Sequence, residues 1–490
     1  MEVRWIVALF LTTDTGDGPM KKSLLVVLLL MLFGWGWPVG SARSADAAGL
    51  QAGIAVVEIT PPIPYRMSGY FSERLSTGIK DRLKARAIVF RQGQAQSALV
   101  FCDLVGMSPQ ISKRARERAG RFTGIPVSHI AVAATHSHTG PLYFGALRAH
   151  FHNKAVAEHG RDRYEVVDYP ALLENRIVQS IRLAHSALKP VSLRCGTARE
   201  ERLSFNRRFF LKNGSVRFNP GQRNPNIVRA AGPIDPEVGL VQIIARDGKP
   251  IGLLTSFALH LDTVGGTEYS ADYPKFLGDH LRGKFGPKFV SLFGTGTCGD
   301  INHVDVTIRG RRSAREIGTM LAETVERALP SLKPIARPAL AVRQATVTVP
   351  LQRYSAEQVA KARKAMNHVA DRKVPFLKRV EAYKIMALHL RGKSTIDLEV
   401  QAFRLGPELA VVTLPGEVFV DLGLAIKRAS PFRTTLIVEL SNDAPGYIPT
   451  KKAFAEGSYE TVNSRIQSGG GEKMVAAAIR LLKELGTSDR

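Results

Sequence analysis

Beyond residue 47 the chain alternates short apolar, often β-branched runs with longer amphipathic ones, and no other feature restricts its fold as strongly. The short runs are Ala98–Cys102, His129–Ala134, Gly252–Leu259, Phe289–Phe293, Ala410–Leu414 and Thr434–Leu440. Continuous apolar runs of that length read as strands covered on both faces, because a strand with one wet face shows alternation instead. The longer runs are Ile111–Phe122, Pro170–Ala187, Arg312–Leu329, Ala356–Asp371 and Glu472–Leu485. In Arg312–Leu329 the residues Ile317, Met320, Leu321 and Val325 fall on one helical face. The expectation is an α/β fold of mixed β-sheets flanked by helices, with any active site at the strand C-terminal ends. Asn206–Pro236, rich in Asn, Gly, Pro and Arg, is expected as a long ordered loop, and the charged Arg353–Lys393 as a helical insertion or cap. No internal repeat is visible in the sequence.

Hydrophobic residues make up 44% and charged ones 23% of the 490 positions, which permits a large core without disulfides. Cys102, Cys195 and Cys298 are far apart and form no Cys-x-x-Cys pair, so they give neither a disulfide framework nor a thiolate zinc site. Any metal must be held by imidazole, carboxylate or phenol. Residues 1–47 read as a signal peptide: Lys21-Lys22 precede the apolar Leu24–Phe33, and Ala45-Asp46-Ala47 resembles a cleavage site. Met20 begins the better signal, and residues 48–490 are expected as one exported catalytic domain, periplasmic or secreted.

The formal charge of +25 favours anionic surfaces, but the cations read first as solvated helix or loop faces, with peripheral contact with an anionic membrane as the alternative. The cations are scattered in short groups such as Lys113–Arg118 and Arg309–Arg312. No zinc-finger, RNP or basic-zipper pattern accompanies them, which argues against a nucleic-acid partner.

Several predicted strands run directly into residues with metal or proton chemistry. His129–Ala134 leads into His136-Ser137-His138, Gly252–Leu259 into His260, Ala410–Leu414 into Glu417, and Thr434–Leu440 toward Tyr447. At period two both imidazoles of His-x-His can face one side of a strand, one binding metal while the other holds substrate or a proton. Two hydrogen-bonded histidines closing a strand would leave the same pattern. His260 alone reads as a core histidine, Glu417 as a carboxylate at a helix N-terminus and Tyr447 as a packing aromatic. Their common position at strand ends is what points to a metal. Gly294-Thr-Gly296-Thr-Cys-Gly299 matches a dinucleotide fingerprint, but no helix is expected to open after it. No Gly-x-Ser-x-Gly elbow stands at a strand–helix junction.

Met67-Ser-Gly-Tyr70, Asp81–Ala87, Ala134–Pro141, Phe205-Asn-Arg207, Phe257–His260, Cys298-Gly-Asp300, Leu414–Glu417, Asn442–Tyr447 and Ser458-Tyr459-Glu460 follow one another in that order. Together they resemble the neutral/alkaline non-lysosomal ceramidase family over roughly residues 53–485. The resemblance implies a Zn2+ ion held by His136, His260, Glu417 and Tyr447, with His138 as general acid/base. It also implies that Arg207 and Tyr459 hold the amide carbonyl; without it they would read as a solvated loop charge and a packing aromatic.

The implied reaction is hydrolysis of the amide of N-acyl-sphingosine-type lipids by zinc-bound water. The sequence departs from the family at Asn302, which stands where ceramidases carry a serine. Arg208 replaces a further family serine and is expected to add positive charge beside Arg207. The family's C-terminal immunoglobulin-like domain is not expected before Arg490. The alternatives are a zinc hydrolase of a different amide or ester, or a non-catalytic exported binding protein on the same scaffold.

Overall fold

Strands apolar on both faces need cover on both, and the chain provides it by using one order of elements three times. The computed structural model describes residues 49–487, so the expected signal peptide lies outside the described residues. The first unit is β1 (Gln51–Glu58), β2 (Lys84–Gln92), β3 (Ala95–Cys102), α1 (Pro109–Thr123) and β4 (Ile130–Ala134), followed by α2 (Gly145–His159) and α3 (Tyr169–Ser186). The second is β5 (Lys189–Arg199), β6 (Glu237–Ala245), β7 (Pro250–Phe257), α4 (Tyr273–Phe285) and β8 (Val290–Thr295), followed by α5 (Ala314–Ala328).

The third is β9 (Ala341–Pro350), β10 (Thr395–Gly406), β11 (Leu409–Thr413), α8 (Val420–Ala429) and β12 (Thr434–Val438), with a last helix, Gly470–Thr487. A hairpin of α6 (Ala356–Met366) and α7 (Phe376–Arg391) is inserted between β9 and β10. In each unit three strands run antiparallel and the fourth returns, through a helix, parallel to the third. This architecture repeats without a repeated sequence, which is why it is not visible in the residues.

The first two units share a nine-stranded sheet, β8-β7-β6-β5-β1-β2-β3-β4 with Lys333–Pro334 on β5, and the third makes a separate sheet, β9-β10-β11-β12. Successive strand side chains point to opposite faces. Along β3, Ala98, Val100 and Cys102 pack with residues of α1 and α3, while Leu99 and Phe101 join Phe403, Val411 and Leu436 of the other sheet. Helices α4 and α5 cover the second unit, and α8 with the last helix covers the third. The result is four layers, helix–sheet–sheet–helix, and each fully buried Leu or Ile contributes about 1.5–3 kcal/mol.

The helix ends follow from local chemistry. Ser108 caps α1 before Pro109, and Gly124 closes it in the left-handed region at φ 73°. Ser313 and Glu316 form a capping box at α5. Two expectations change. The stretch 206–236 carries a small antiparallel sheet of Arg208–Leu211, Val216–Phe218 and Ile227–Ala230 rather than a loop. His136 and His138 do not lie on a strand: β4 ends at Ala134, and His136 takes φ 77°. The helical reading of 353–393 corresponds to the α6–α7 hairpin. Among the described residues no helix is long and apolar enough to cross a membrane.

Candidate metal centre

Beyond β4 the chain turns sharply instead of continuing, and backbone bonds fix the turn. His136 N–H and Ser137 N–H both donate to Leu104 O, at 2.8 and 3.1 Å, and His138 N–H donates to Leu261 O at 3.2 Å. Ser137 Oγ donates to Ser270 O at 2.6 Å. The left-handed turn at His136, rather than strand periodicity, sends both imidazoles to one side. His260 follows β7, and Glu417 and Tyr447 face one another in a two-residue parallel pair, Glu417–Val418 with Tyr447–Ile448.

These side chains converge. His136 Nε2 lies 2.9 Å from His260 Nε2, 3.4 Å from His138 Nε2 and 3.5 Å from Glu417 Oε2. The Nδ1 of His136 is 2.7 Å from Val105 O, and that of His260 is 3.4 Å from Cys298 O. A carbonyl oxygen only accepts, so each Nδ1 carries the proton and each Nε2 a lone pair. Two lone pairs at 2.9 Å repel unless a cation lies between them. A tetrahedral ion with bonds of about 2.0–2.1 Å sets its ligands about 3.3 Å apart, close to the spacings here. The buried group His136, His138 and His260 can therefore hold a metal ion.

Electrostatics agree with that fit. Burial, with the neighbouring charges of His136, Arg207 and His138, holds His260 well below its ordinary pKa. Burial likewise lowers His138 to about 4 despite Asp262. Both are neutral at neutral pH, as metal ligands or bases must be. Burial opposes the Glu417 carboxylate, but its neighbours His136, Arg207 and Tyr447 hold it below its usual range.

Arg207 is buried, not a solvated loop charge. Its Nη2 donates to Tyr447 Oη at 3.0 Å and to Gly299 O at 2.7 Å, and its Nε to Glu460 Oε1 at 2.9 Å. Burial opposes its charge, but the Tyr447 oxygen and the Glu460 carboxylate more than offset this. Tyr459 packs edge-on against Tyr447, with ring centroids 5.4 Å apart. All seven residues singled out in the sequence thus meet in one site.

One other expectation is corrected. Arg208 adds no free positive charge: it pairs with Glu460 at 3.0 Å and Glu456 at 3.1 Å. Asn302 is bound into the loops, with Nδ2 donating to Asn219 Oδ1 at 2.7 Å and Oδ1 accepting from Val304 N–H at 2.9 Å. Asp300 serves the scaffold, since its carboxylate accepts from Val420 N–H at 2.8 Å and caps α8, where Phe419 has no capping side chain. No helix opens after Gly294–Gly299, so the dinucleotide pattern is accidental.

Sequence reasoning assigned no role to Asp262, Tyr70 or Glu460. His138 Nδ1, buried and without a hydrogen-bond partner, faces Asp262 Oδ1 at 3.5 Å. Tyr70 Oη donates to the same oxygen at 2.6 Å. Glu460, fully buried, clamps both Arg207 and Arg208. Asp262 stands two residues past His260 at a strand end, which was the available signal.

The fold and site define an α/β protein with a buried imidazole–carboxylate–phenol centre at the mouth of its sheets. Residues 50–270 match the family described as neutral/alkaline non-lysosomal ceramidase, N-terminal. The neutral ceramidase of Pseudomonas aeruginosa is 25% identical over 296 residues, 58% of this chain and 41% of that protein. That of Mycobacterium tuberculosis is 26% identical over 278 residues, 52% and 40%. The chain is similar to this ceramidase family over residues 50–270, and its match spans about two fifths of those relatives' length. The crystal structure of the Pseudomonas neutral ceramidase has the same fold, with TM-score 0.66 at 17% identity over 90% of this chain and 75% of that one.

Proposed function

We propose that the chain is an exported, zinc-dependent amidohydrolase that cleaves the amide of N-acyl-sphingosine-type lipids. The observation that carries this reading is the facing pair of lone-pair nitrogens, His136 Nε2 and His260 Nε2, with Glu417 beside them. An N/O donor set of this kind suits zinc. His136, His260, Glu417 and Tyr447 would hold the ion, which when bound supplies a Lewis acid that activates water at neutral pH.

The remaining steps belong to the chain itself. His138, neutral and only partly buried, takes a proton from the attacking water and delivers it to the leaving amine. Arg207 and the Tyr459 hydroxyl donate hydrogen bonds to the carbonyl oxygen as it gains charge, within a site largely closed to water. Glu460 holds Arg207 in position for that task.

Asn302 favours a second reading, hydrolysis of another amide or ester, because its committed amide offers no hydroxyl where ceramidases have one. Elemental analysis of the purified chain, before and after His260→Ala, tests the metal, and wild-type protein without zinc overturns the mechanism. Turnover of long-chain ceramides beside short N-acyl amides and esters tests the substrate. Hydrolysis of a soluble amide with no ceramide turnover replaces the lipid reading with the second one.

A further inference from the structure

The inserted hairpin α6–α7 is strongly basic. Between Arg353 and Lys393 it carries eleven lysines and arginines against three acids. Its tip, 370–378, presents Arg372, Lys373 and Lys378 to solvent together with Leu377, which is 41% exposed. Lys378 leans on Glu381 one turn on, at 3.5 Å. An exposed leucine among three cations is a poor design for water alone and a good one for a surface that is anionic outside and apolar beneath.

The tip is also coupled to the metal centre. Phe376, the first residue of α7, packs on Tyr459 with centroids 5.3 Å apart, on Phe218 at 5.6 Å and on Phe71 at 5.9 Å. Tyr459 in turn contacts Tyr447. A half-buried aromatic chain thus joins the hairpin tip to the phenol of the site. Between the hairpin and α2 lies a cavity of about 400 Å³, walled by Met366, Met386 and the 58% exposed Leu390, with Lys154 and Arg363 among its lining. The pairing of apolar wall with cationic rim seen at the tip recurs there.

We infer that the α6–α7 hairpin docks the protein onto an anionic lipid bilayer, with Arg372, Lys373 and Lys378 on the headgroups and Leu377 below them. This deepens the lipid-amide reading above and rests on it only for the purpose of docking, which is to deliver a bilayer substrate along the aromatic chain. The charge is complementary to the leaflet, and each such cation near an anionic surface strengthens attachment several-fold.

The test is partition of the full chain onto phosphatidylcholine vesicles with and without phosphatidylserine, at physiological salt. Wild type is expected to prefer the anionic vesicles strongly and to lose that preference as salt rises. The variant Arg372→Gln, Lys373→Gln, Lys378→Gln is expected to bind them about a hundred-fold more weakly. A control with the same charge loss elsewhere, Lys189→Gln, Lys249→Gln, Lys333→Gln, is expected to lose less than about three-fold. All six side chains are exposed, so both variants should melt with wild type.

Equal losses in the two variants would show attachment by bulk charge and overturn the hairpin, as would equal binding to neutral vesicles. Turnover of a soluble amide is read separately. A chain that hydrolyses no amide yet docks through the hairpin keeps this inference and loses the catalytic reading.

Discussion

Asp262 occupies no ligand position, yet His138 Nδ1 faces it at 3.5 Å and Tyr70 Oη donates to it at 2.6 Å. A carboxylate behind an imidazole fixes the tautomer and orientation of the ring, and apo contacts of this kind are often long. Asp262→Asn is therefore expected to keep the metal while kcat falls about 10- to 100-fold. Loss of metal measured in that variant would move Asp262 into the coordination set. His138→Ala is expected to keep the metal and lose most turnover, and loss of zinc there would exchange the roles of His136 and His138. At this scale the sequence was informative where chemistry stood alone: His136, His138, His260 and Glu417 each follow an apolar run. Arg207 and Tyr459 were legible only through the family resemblance, because nothing in Phe205–Arg208 or Ser458–Glu460 announces that Glu460 buries an arginine.

The decisive element is small. Two residues of parallel pairing put Glu417 opposite Tyr447, and Gly299 packs directly beneath: a Cβ there would lie 2.5 Å from Glu417 O. Gly299→Ala must shift the Glu417 backbone, since the obstacle is main chain rather than a flexible side chain. Overpacking of this kind costs about 1–3 kcal/mol, and the variant is expected to melt lower and bind less zinc. Unchanged metal content in a stably folded Gly299→Ala protein would show that the pair does not set the ligand geometry. Strands apolar throughout, such as β4 and β11, were readable in the sequence because both faces are covered. Strand β5 was not, since Lys189–Arg199 alternates exposed and buried positions amid Pro, Ser and Arg. Helix α2 escaped because its apolar residues do not gather on one face, and the pair at Glu417 is too short for any periodicity to show.

Across the whole molecule the proposed ligand set is distributed. His136 comes from the first unit, His260 from the second, and Glu417 and Tyr447 from the third. A bound ion would consequently cross-link both sheets, and would stabilise the fold by mass action, with the logarithm of its free concentration over Kd. Chelation is expected to lower Tm, with recovery on adding back zinc; a Tm indifferent to chelator would mean that the sheets are held together without the centre. The alternation of runs made the α/β class legible, but the three-unit plan was hidden, since topology constrains which faces are apolar and not which residues make them so. The distribution also has a consequence for synthesis. His136 and His260 are separated by 124 residues, and Glu417 emerges later still. Contacts so remote form late in folding, so a nascent chain that stops before β11 has His136 and His260 of the proposed ligand set but neither Glu417 nor Tyr447. On the proposed ligand set such a chain is expected to stay inert until its last unit docks.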